Sequence, residues 1–280
     1  MPASAAANIE LVHATKRFAT PSGGVFTALH DFSLKIEPGE FCAVVGPTGC
    51  GKSTTLGMVS GLDLRSEGSV KVGGTEVSGI TPGTSFMFQA DALMPWKTVI
   101  GNVMMGPLFH HASKRDARAR ATDWLRRVGL AGFEDHRPHQ LSGGMRKRVG
   151  LAAALINEPS VLLMDEPFGA LDVQTKAIMS SELLGLWEQT RPTVIFVTHD
   201  LEEAIALADK VVVVTSSPGT VKGVFEIDLP RPRGAVQEIR FGERFQELHH
   251  QIWDALREEV ERAYAKTTSA DAAGGKGGRS

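Results

Sequence analysis

The chain has 280 residues, 42% hydrophobic and 22% charged, a composition typical of a globular protein with a substantial buried core. Its formal net charge of −2 argues against binding nucleic acid through overall electrostatics. The two cysteines, Cys42 and Cys50, exclude a disulfide scaffold and a four-cysteine zinc site. We find neither a secretory signal pattern in MPASAAAN nor about 18 consecutive apolar residues, so we expect a cytoplasmic chain that reaches any membrane through a partner.

The first sixty residues predict strands followed by a helix. After a disordered start over residues 1–8, β-rich stretches separated by Gly, Pro and Ser clusters predict three strands: Ile9–Val12, Phe26–Ile36 and Phe41–Val45. Helical spacing of apolar residues begins after Lys52.

Further along, helices and apolar strands alternate. Three- and four-residue spacing predicts a helix from Lys114 with Gly129 as its C-cap. The later strands and helices follow the rhythm of a largely parallel sheet. A last amphipathic helix places Phe245, Leu248, Ile252, Leu256 and Val260 on one face, and we expect disorder over residues 266–280. The predicted elements are strands Val161–Met164, Thr193–Thr198 and Lys210–Thr215 and a helix Glu243–Ala263.

A phosphate-binding loop is predicted directly after the strand Phe41–Val45. Glycines let the backbone curl so that its N–H groups point at a polyphosphate, and the following helix start adds partial positive charge. In this Walker A arrangement Lys52 would reach the β- and γ-phosphates and the Ser53 hydroxyl would bind Mg²⁺, while Cys50 contributes its backbone N–H. The predicted loop comprises Gly46, Pro47, Thr48, Gly49, Cys50, Gly51, Lys52, Ser53 and Thr54.

Carboxylates and a histidine follow the buried strands that come later. Asp165 and Glu166 end the run SVLLMDE, which predicts that they emerge at the edge where the phosphate loop lies. Asp165 suits the Mg²⁺ shell, acting through water, and Glu166 suits the general base that activates the attacking water. The strand TVIFVTHD brings His199 to the same edge, towards the γ-phosphate. Gln89 is a candidate ligand of Mg²⁺ or water, and a structural glutamine is the alternative.

A second anion site is predicted at LSGGMRKR. Ser142, Gly143 and Gly144 begin a helix, so free backbone N–H groups and a hydroxyl lie together there. Because Lys52 already serves one triphosphate, the economical arrangement is a head-to-tail pair. Each copy would bind nucleotide at its own Lys52 loop and cover the γ-phosphate of its partner with Ser142.

These motifs, in this order, resemble the ATP-binding-cassette (ABC) ATPases from about residue 9 to residue 260. The resemblance implies an α/β fold, a RecA-like P-loop NTPase cassette with an N-terminal antiparallel β subdomain and an inserted helical subdomain. It implies an ATPase domain over 9–230, with the insert at about 92–157, and a helical extension over 231–265. ATP and Mg²⁺ are the implied cofactors, Gln89 belongs to the Q-loop, Asp172 ends the D-loop and His199 is the switch histidine. Phe18 would stack on adenine, with a core phenylalanine as the alternative.

Met145 in the signature, the GALD of the D-loop and the stretch EIDLPRPRG resemble one subgroup, the importers of nitrate, sulfonate, taurine and related solutes. That resemblance implies a homodimer or heterodimer of ATPase subunits at the cytoplasmic face of the membrane. It further implies a separate transmembrane permease and, indirectly, a solute-binding protein. An exporter or lipid-transport cassette and a soluble ABC ATPase acting on DNA or ribosomes are the alternatives.

Two stretches allow more than one interpretation. The loop after Gln89 is unusually apolar, and Trp96 within it belongs either to a helical core or to a surface where a permease helix docks. The basic run Arg146-Lys147-Arg148 lacks interleaved aromatic residues, so we expect a solvated helix face and no nucleic-acid site.

Overall fold

The computed structural model describes residues 5–21, 23–233 and 236–274 and contains two sheets surrounded by helices. In chain order its elements are β1 (Ile9–Ala19), β2 (Val25–Ile36), β3 (Phe41–Val45), α1 (Lys52–Ser60), β4 (Glu67–Val72), β5 (Thr75–Glu76), β6 (Thr84–Met87), α2 (Val99–Val103), α3 (Met105–Phe109), α4 (Lys114–Arg127), a 3₁₀ turn (Pro138–Gln140), α5 (Gly143–Leu155), β7 (Val161–Asp165), α6 (Val173–Thr190), β8 (Thr193–Val197), α7 (Leu201–Leu207), β9 (Lys210–Val214), β10 (Val221–Glu226), α8 (Val236–Ile239) and α9 (Glu243–Gly274).

The larger sheet has the strand order β10-β9-β3-β8-β7-β6. Five of its strands run parallel, from β6 to β9 across the sheet, and β10 is antiparallel at one edge. Every residue of β3 and β8 is buried, which explains why these strands are apolar throughout instead of alternating. Because parallel strands end at one edge, the loops that follow β3, β6, β7 and β8 lie together.

The smaller sheet is antiparallel, in the order β2-β1-β4-β5. Its first strand extends to Ala19, well beyond the predicted end at Val12. Register shifts between Leu11 and Ala14, and again up to Arg17, interrupt the two-residue alternation on which the prediction depended.

Helices α2 to α5 lie between β6 and β7 and form the predicted insert. They bury Val99, Ile100, Trp124 and Leu125 in a core shared with the larger sheet. The C-cap of α4 is Val128, and the predicted C-cap Gly129 is the next residue: its φ is +70°, and Leu130 N donates to Leu125 O at 2.8 Å. The predicted combination of a P-loop α/β cassette, an antiparallel β subdomain and inserted helices is therefore confirmed.

The structure corrects the predicted disorder at residues 5–8 and 266–274, the parts of the two ends that it describes. Near the N-terminus, Gly73 N donates to Asn8 O at 2.9 Å and the Thr193 hydroxyl donates to Ala7 O at 2.6 Å, so these residues are joined to the sheets. At the C-terminus, α9 continues through Gly274, because alanines favour a helix there. Residues 1–4 and 275–280 lie outside the described part of the chain. None of the described helices has the length and apolarity needed to cross a lipid bilayer.

The C-terminal helix α9 packs with the predicted apolar face, except at its end. Phe245, Leu248, Ile252 and Leu256 are buried in the larger core. Val260, predicted on the same face, is 41% exposed, and the neighbouring Glu259 is 1% exposed instead. The carboxylate is compensated, because it accepts from Ser216 N at 2.9 Å and pairs with Lys222 Nζ at 3.1 Å.

The buried face of α9 is tested by Ile252→Ala. Ile252 is fully buried, so the cavity left by the truncation should lower the free energy of unfolding by about 2–5 kcal/mol. The measurement is urea unfolding followed by circular dichroism, with the exposed neighbour Gln251→Ala as the matched control. Equal stability of the two variants would contradict the packing of α9 described here.

Candidate active site

The loop after β3 has the backbone shape that the glycine pattern predicted. Gly49 and Gly51 have φ angles of +78° and +97°, in the left-handed region. A Cβ at Gly51 would lie 2.6 Å from Leu29 Cδ2, so only glycine fits between the loop and β2. Gly51 caps α1 without a side-chain hydrogen bond, which leaves the first N–H groups of that helix free for an anion.

Lys52 is folded back beneath this loop and is only 7% exposed. Its Nζ donates to Gly46 O at 2.8 Å and to Pro47 O at 3.0 Å. An ammonium has three N–H donors, so these acceptors hold it in place and leave capacity for an anion. Thr48, Gly49 and Ser53 are exposed at the mouth of the loop, and Thr54 is half-buried behind them.

Cys50 is buried within the loop, and burial raises the pKa of its thiol while the charge of Lys52 opposes the shift. A protonated, buried thiol is a poor nucleophile, which agrees with a backbone role for this residue. The turn before β10 lies directly against it, since a Cβ at Gly219 would come within 2.0 Å of Cys50 O.

Asp165 is the last residue of β7, and its carboxylate lies beside the side chain of Ser53. Burial raises the pKa of Asp165, and the negative charge of Glu166 adds to the effect, while Ser53 and Lys52 oppose it. The structure therefore joins the predicted metal-binding carboxylate to the predicted metal-binding hydroxyl, although they are far apart in sequence.

Glu166 bends away from the strand, with φ at +42°, in a conformation that costs a non-glycine residue about 1–3 kcal/mol. Its Oε2 accepts from Gln89 Nε2 at 3.2 Å and lies 3.4 Å from His199 Nδ1. The ends of β6, β7 and β8 thus bring three predicted site residues together around one carboxylate oxygen. The strained backbone is the local feature that turns Glu166 towards the other two.

Ser142 is the N-cap of α5, and its hydroxyl accepts from Met145 N at 3.3 Å. A Cβ at Gly143 would lie 3.7 Å from Leu171 Cδ2, and a Cβ at Gly144 would lie 3.1 Å from Thr175 Cγ2. The predicted second anion site therefore lies beside the start of α6 in the same chain.

Asp172 is the N-cap of that helix and accepts from Thr175 N at 3.0 Å. Hydrogen bonds from Thr175 lower the pKa of Asp172. The predicted D-loop aspartate thus fixes the start of α6 next to the glycines of the signature turn.

Phe18 lies on β1 opposite Phe26 and is half-buried. Lys16 Nζ lies 4.7 Å from the centre of its ring. The alternative of a fully buried core phenylalanine does not apply, because part of the ring remains exposed.

The predicted solvated face at Arg146-Lys147-Arg148 is wrong. Lys147 is 5% exposed and pairs with Asp91 at 3.0 Å, and Arg148 pairs with Glu182 at 2.7 Å. Sequence reasoning missed Asp91 because its partners lie more than fifty residues away, and local spacing carries no signal for such pairs. A charged residue two positions after Gln89 was the only available hint.

A curled glycine loop over a buried lysine, beside carboxylates at the end of a neighbouring parallel strand, defines a P-loop nucleotide-binding ATPase. The family model for ABC transporters matches residues 29–169. An uncharacterized ABC transporter ATP-binding protein of Methanocaldococcus jannaschii is 44% identical over 239 residues, which are 85% of this chain and 88% of that relative. The chain belongs to the ABC transporter family, and it is an ATPase coupled to transport.

Two further similarities refine this assignment. The taurine import ATP-binding protein of Burkholderia pseudomallei is 42% identical over 260 residues, covering 91% of this chain and 97% of that protein. Among solved structures, the ATP-binding cassette MJ0796 in a dimeric post-hydrolysis state bound to ADP and Pi has a TM-score of 0.70 and 31% identity. That match covers 79% of this chain and all of the other one.

The backbone shape of the loop is tested by two glycine variants. Gly49→Ala should cost about 1 kcal/mol, because the left-handed backbone is strained but no atom lies within 4 Å of the new Cβ. Gly51→Ala adds a clash with Leu29 and should cost about 3 kcal/mol. Urea unfolding of both variants gives the comparison. Equal losses would contradict the close approach of β2 to the loop.

Proposed function

We propose that this chain is the ATP-binding and ATP-hydrolysing subunit of an importer for a small anion of the nitrate, sulfonate or taurine type. It would act at the cytoplasmic face of the membrane and drive a separate transmembrane permease, with a solute-binding protein as an indirect partner. The observation that carries the proposal is the meeting of Gln89, Glu166 and His199 beside the Lys52 loop. The similarity to the taurine import protein supports the direction of transport and the class of solute.

In this proposal the triphosphate of ATP lies in the loop of residues 46–54. The backbone N–H groups of the loop and of the first turn of α1 bind the phosphate oxygens, and the Lys52 ammonium neutralises the β- and γ-phosphates. The part-exposed ring of Phe18 offers a surface on which adenine stacks.

The residues around Ser53 fit Mg²⁺. A magnesium ion that binds nucleotide keeps several waters and takes one or two oxygen ligands from the protein, so the Ser53 hydroxyl would bind it directly and the Asp165 carboxylate would bind it through water. Burial and the charge of Glu166 raise the pKa of Asp165, and a cation bound there would oppose both effects. The side-chain oxygen of Gln89 is a third donor. When bound, Mg²⁺ offsets the negative charge on the β- and γ-phosphates.

Hydrolysis requires a group that accepts a proton from water as the water attacks the γ-phosphorus. Glu166 takes this role, because its carboxylate lies at the edge of the sheet and its side chain is 22% exposed, within reach of water. His199 directs Nδ1 towards Glu166, so its other ring nitrogen is available for a γ-phosphate oxygen. Gln89 donates a hydrogen bond to Glu166, so the position of the Gln89 side chain depends on the same carboxylate.

Two copies complete the site. The Lys52 loop and the Ser142 turn are two anion sites, and the second lies against α6 instead of over the first. We therefore place the partner's Ser142, Gly143 and Gly144 over the γ-phosphate bound by Lys52, in a homodimer or a heterodimer with a similar subunit. Asp172 lies beside the signature turn and belongs to the same contact surface. The dimeric cassettes among the solved structures support this arrangement.

A groove beside Gln89 offers a surface for the permease. A cavity of about 310 Å³ lies between Phe86, Phe88 and Leu93 on one side and α5 on the other. Phe88 is 44% exposed and Trp96 is 69% exposed. In the same stretch Val99 and Met104 are buried, so the core interpretation holds for them. An amphipathic permease helix would fit the groove and would move with the segment that contains Gln89.

The general base is tested by Glu166→Gln. Loss of the proton acceptor should lower the ATPase rate by about 10²–10⁴-fold and trap an ATP-bound dimer. Turnover and size-exclusion chromatography with ATP give the two readouts, and Glu202→Gln, on the exposed side of α7, is the matched control. Retained turnover would place the general base elsewhere.

The permease surface is tested by Trp96→Glu in the complete transporter. A charge at this exposed ring should abolish co-purification of the chain with the permease and leave ATP binding intact. Phe241→Glu is the matched control, because Phe241 is 74% exposed and lies near α8. If Trp96→Glu abolishes both properties, Trp96 supports the fold and does not form the docking surface.

A further inference from the structure

An ion-pair cluster joins the Q-loop to the signature helix. Both oxygens of Asp91 are engaged: Oδ2 lies 2.7 Å from Arg146 Nε and Oδ1 lies 3.0 Å from Lys147 Nζ. The side chain of Lys147 is 6% exposed and that of Asp91 is 26% exposed, so water screens these contacts only in part. The two basic residues follow each other directly in the first turns of α5.

Each basic residue also binds backbone on one side of the cluster. Lys147 Nζ donates to Gln89 O at 2.7 Å, which ties the ammonium to the residue that contacts Glu166. Arg146 donates through a second nitrogen to Leu141 O at 2.8 Å, directly before Ser142. The cluster therefore connects Gln89, in the proposed site of one nucleotide, with Leu141, directly before the serine that is proposed to cover the other nucleotide.

Residues 89–91 and the turn at Gly143 face each other across a cavity of about 230 Å³, which Leu171 also lines. The contacts of Asp91 span this space. Because Lys147 is almost fully shielded from water, removing Asp91 would leave the ammonium poorly compensated.

The contacts of Asp91 with Arg146 and Lys147 are intact at neutral pH. Burial alone would raise the pKa of the Asp91 carboxyl. The hydrogen bonds from Arg146 and Lys147 have the larger combined effect and hold this pKa below its usual value. Asp91 is therefore a carboxylate throughout the physiological range, and both ion pairs persist there.

We propose that Asp91, Arg146 and Lys147 form a rigid link that makes the Ser142 turn follow the position of Gln89. Asp91 is then a positioning residue: it contacts neither ATP nor water, and it sets how the signature turn is presented to the partner's nucleotide. ATP bound in one subunit, sensed by Gln89, would thereby prepare that subunit to close over the ATP of its twin. This inference rests on the proposed function, in which Gln89 and Ser142 serve different nucleotides.

The test is hydrogen–deuterium exchange of the full chain at a concentration where it is monomeric, with and without a non-hydrolysable ATP analogue. ATP contact should protect residues 46–54, and through the link it should also change exchange at residues 141–147. In Asp91→Asn, which keeps the shape and removes the charge, the first effect should persist and the second should disappear. Asp91→Glu, which keeps the charge, should retain part of the change in exchange at residues 141–147. Glu182→Gln is the matched control, because it breaks the Arg148 pair on the same helix without reaching the Q-loop.

Kinetics give an independent readout. Asp91→Asn should bind the analogue within about twofold of the natural chain and lose about tenfold in kcat and in ATP-dependent dimer formation. The double variant Asp91→Asn with Lys147→Met should lose little more in kcat than Asp91→Asn alone, because both substitutions break the same link.

Different results would contradict the proposed function and the proposed link. Absence of protection at residues 46–54 in the natural chain would contradict nucleotide binding and hence the proposed function. Protection at 46–54 without any change at 141–147 in the natural chain, or an unchanged response in Asp91→Asn, would overturn the link. Loss of analogue binding in Asp91→Asn would also overturn it, since Asp91 would then support the nucleotide loop itself.

Discussion

The parallel pairing of β7 with β8 is the constraint from which the active site follows. In this register Asp165 lies opposite Val197, the last residue of its strand, so the two chains leave the sheet at the same level. Glu166 and His199 then emerge side by side, and β3 on the far side of β8 delivers the Lys52 loop to the same edge. A shift of one residue in this register would turn Glu166 to the opposite face.

Two further segments pack against the predicted phosphate-binding loop. A Cβ at Gly46 would lie 2.9 Å from Val214 O, and the turn that follows β9 lies against Cys50. Glu259 of α9 accepts a hydrogen bond from Ser216 N in that turn. The C-terminal helix thus reaches the nucleotide loop through a single turn, which gives α9 a structural role in the active site as well as in the core.

The sequence predicted what depends on local pattern. Buried parallel strands are apolar throughout and the glycines at 46–51 require a curled loop, so these elements could be placed within a residue or two. The irregular strand β1 could not be predicted in full, because its bulges break the alternation that marks a strand. The burial of Glu259 and Lys147 depends on partners distant in sequence, Lys222 and Asp91, and one sequence carries no record of such pairs.

In the proposed dimer each cassette carries two half-sites, the Lys52 loop and the Ser142 turn, which face different nucleotides. In the proposed arrangement Lys52, Asp165 and Glu166 bind and act on one ATP, Ser142 covers the other, and the Asp91 cluster would connect the two halves within one chain. A pair arranged in this way would hydrolyse ATP efficiently only as a dimer. Closure of the pair would then accompany hydrolysis, and a permease bound beside Gln89 would respond to that closure.

Mixing two inactive variants tests this central claim most directly. In a head-to-tail pair of Lys52→Ala with Ser142→Arg, both defects fall in one composite site, and the other site combines an intact Lys52 loop with an intact signature turn. The account predicts that the mixture recovers ATPase activity that neither variant has alone. If Ser142 served the nucleotide of its own chain, no intact site could form, and a mixture as inactive as its components would contradict the account.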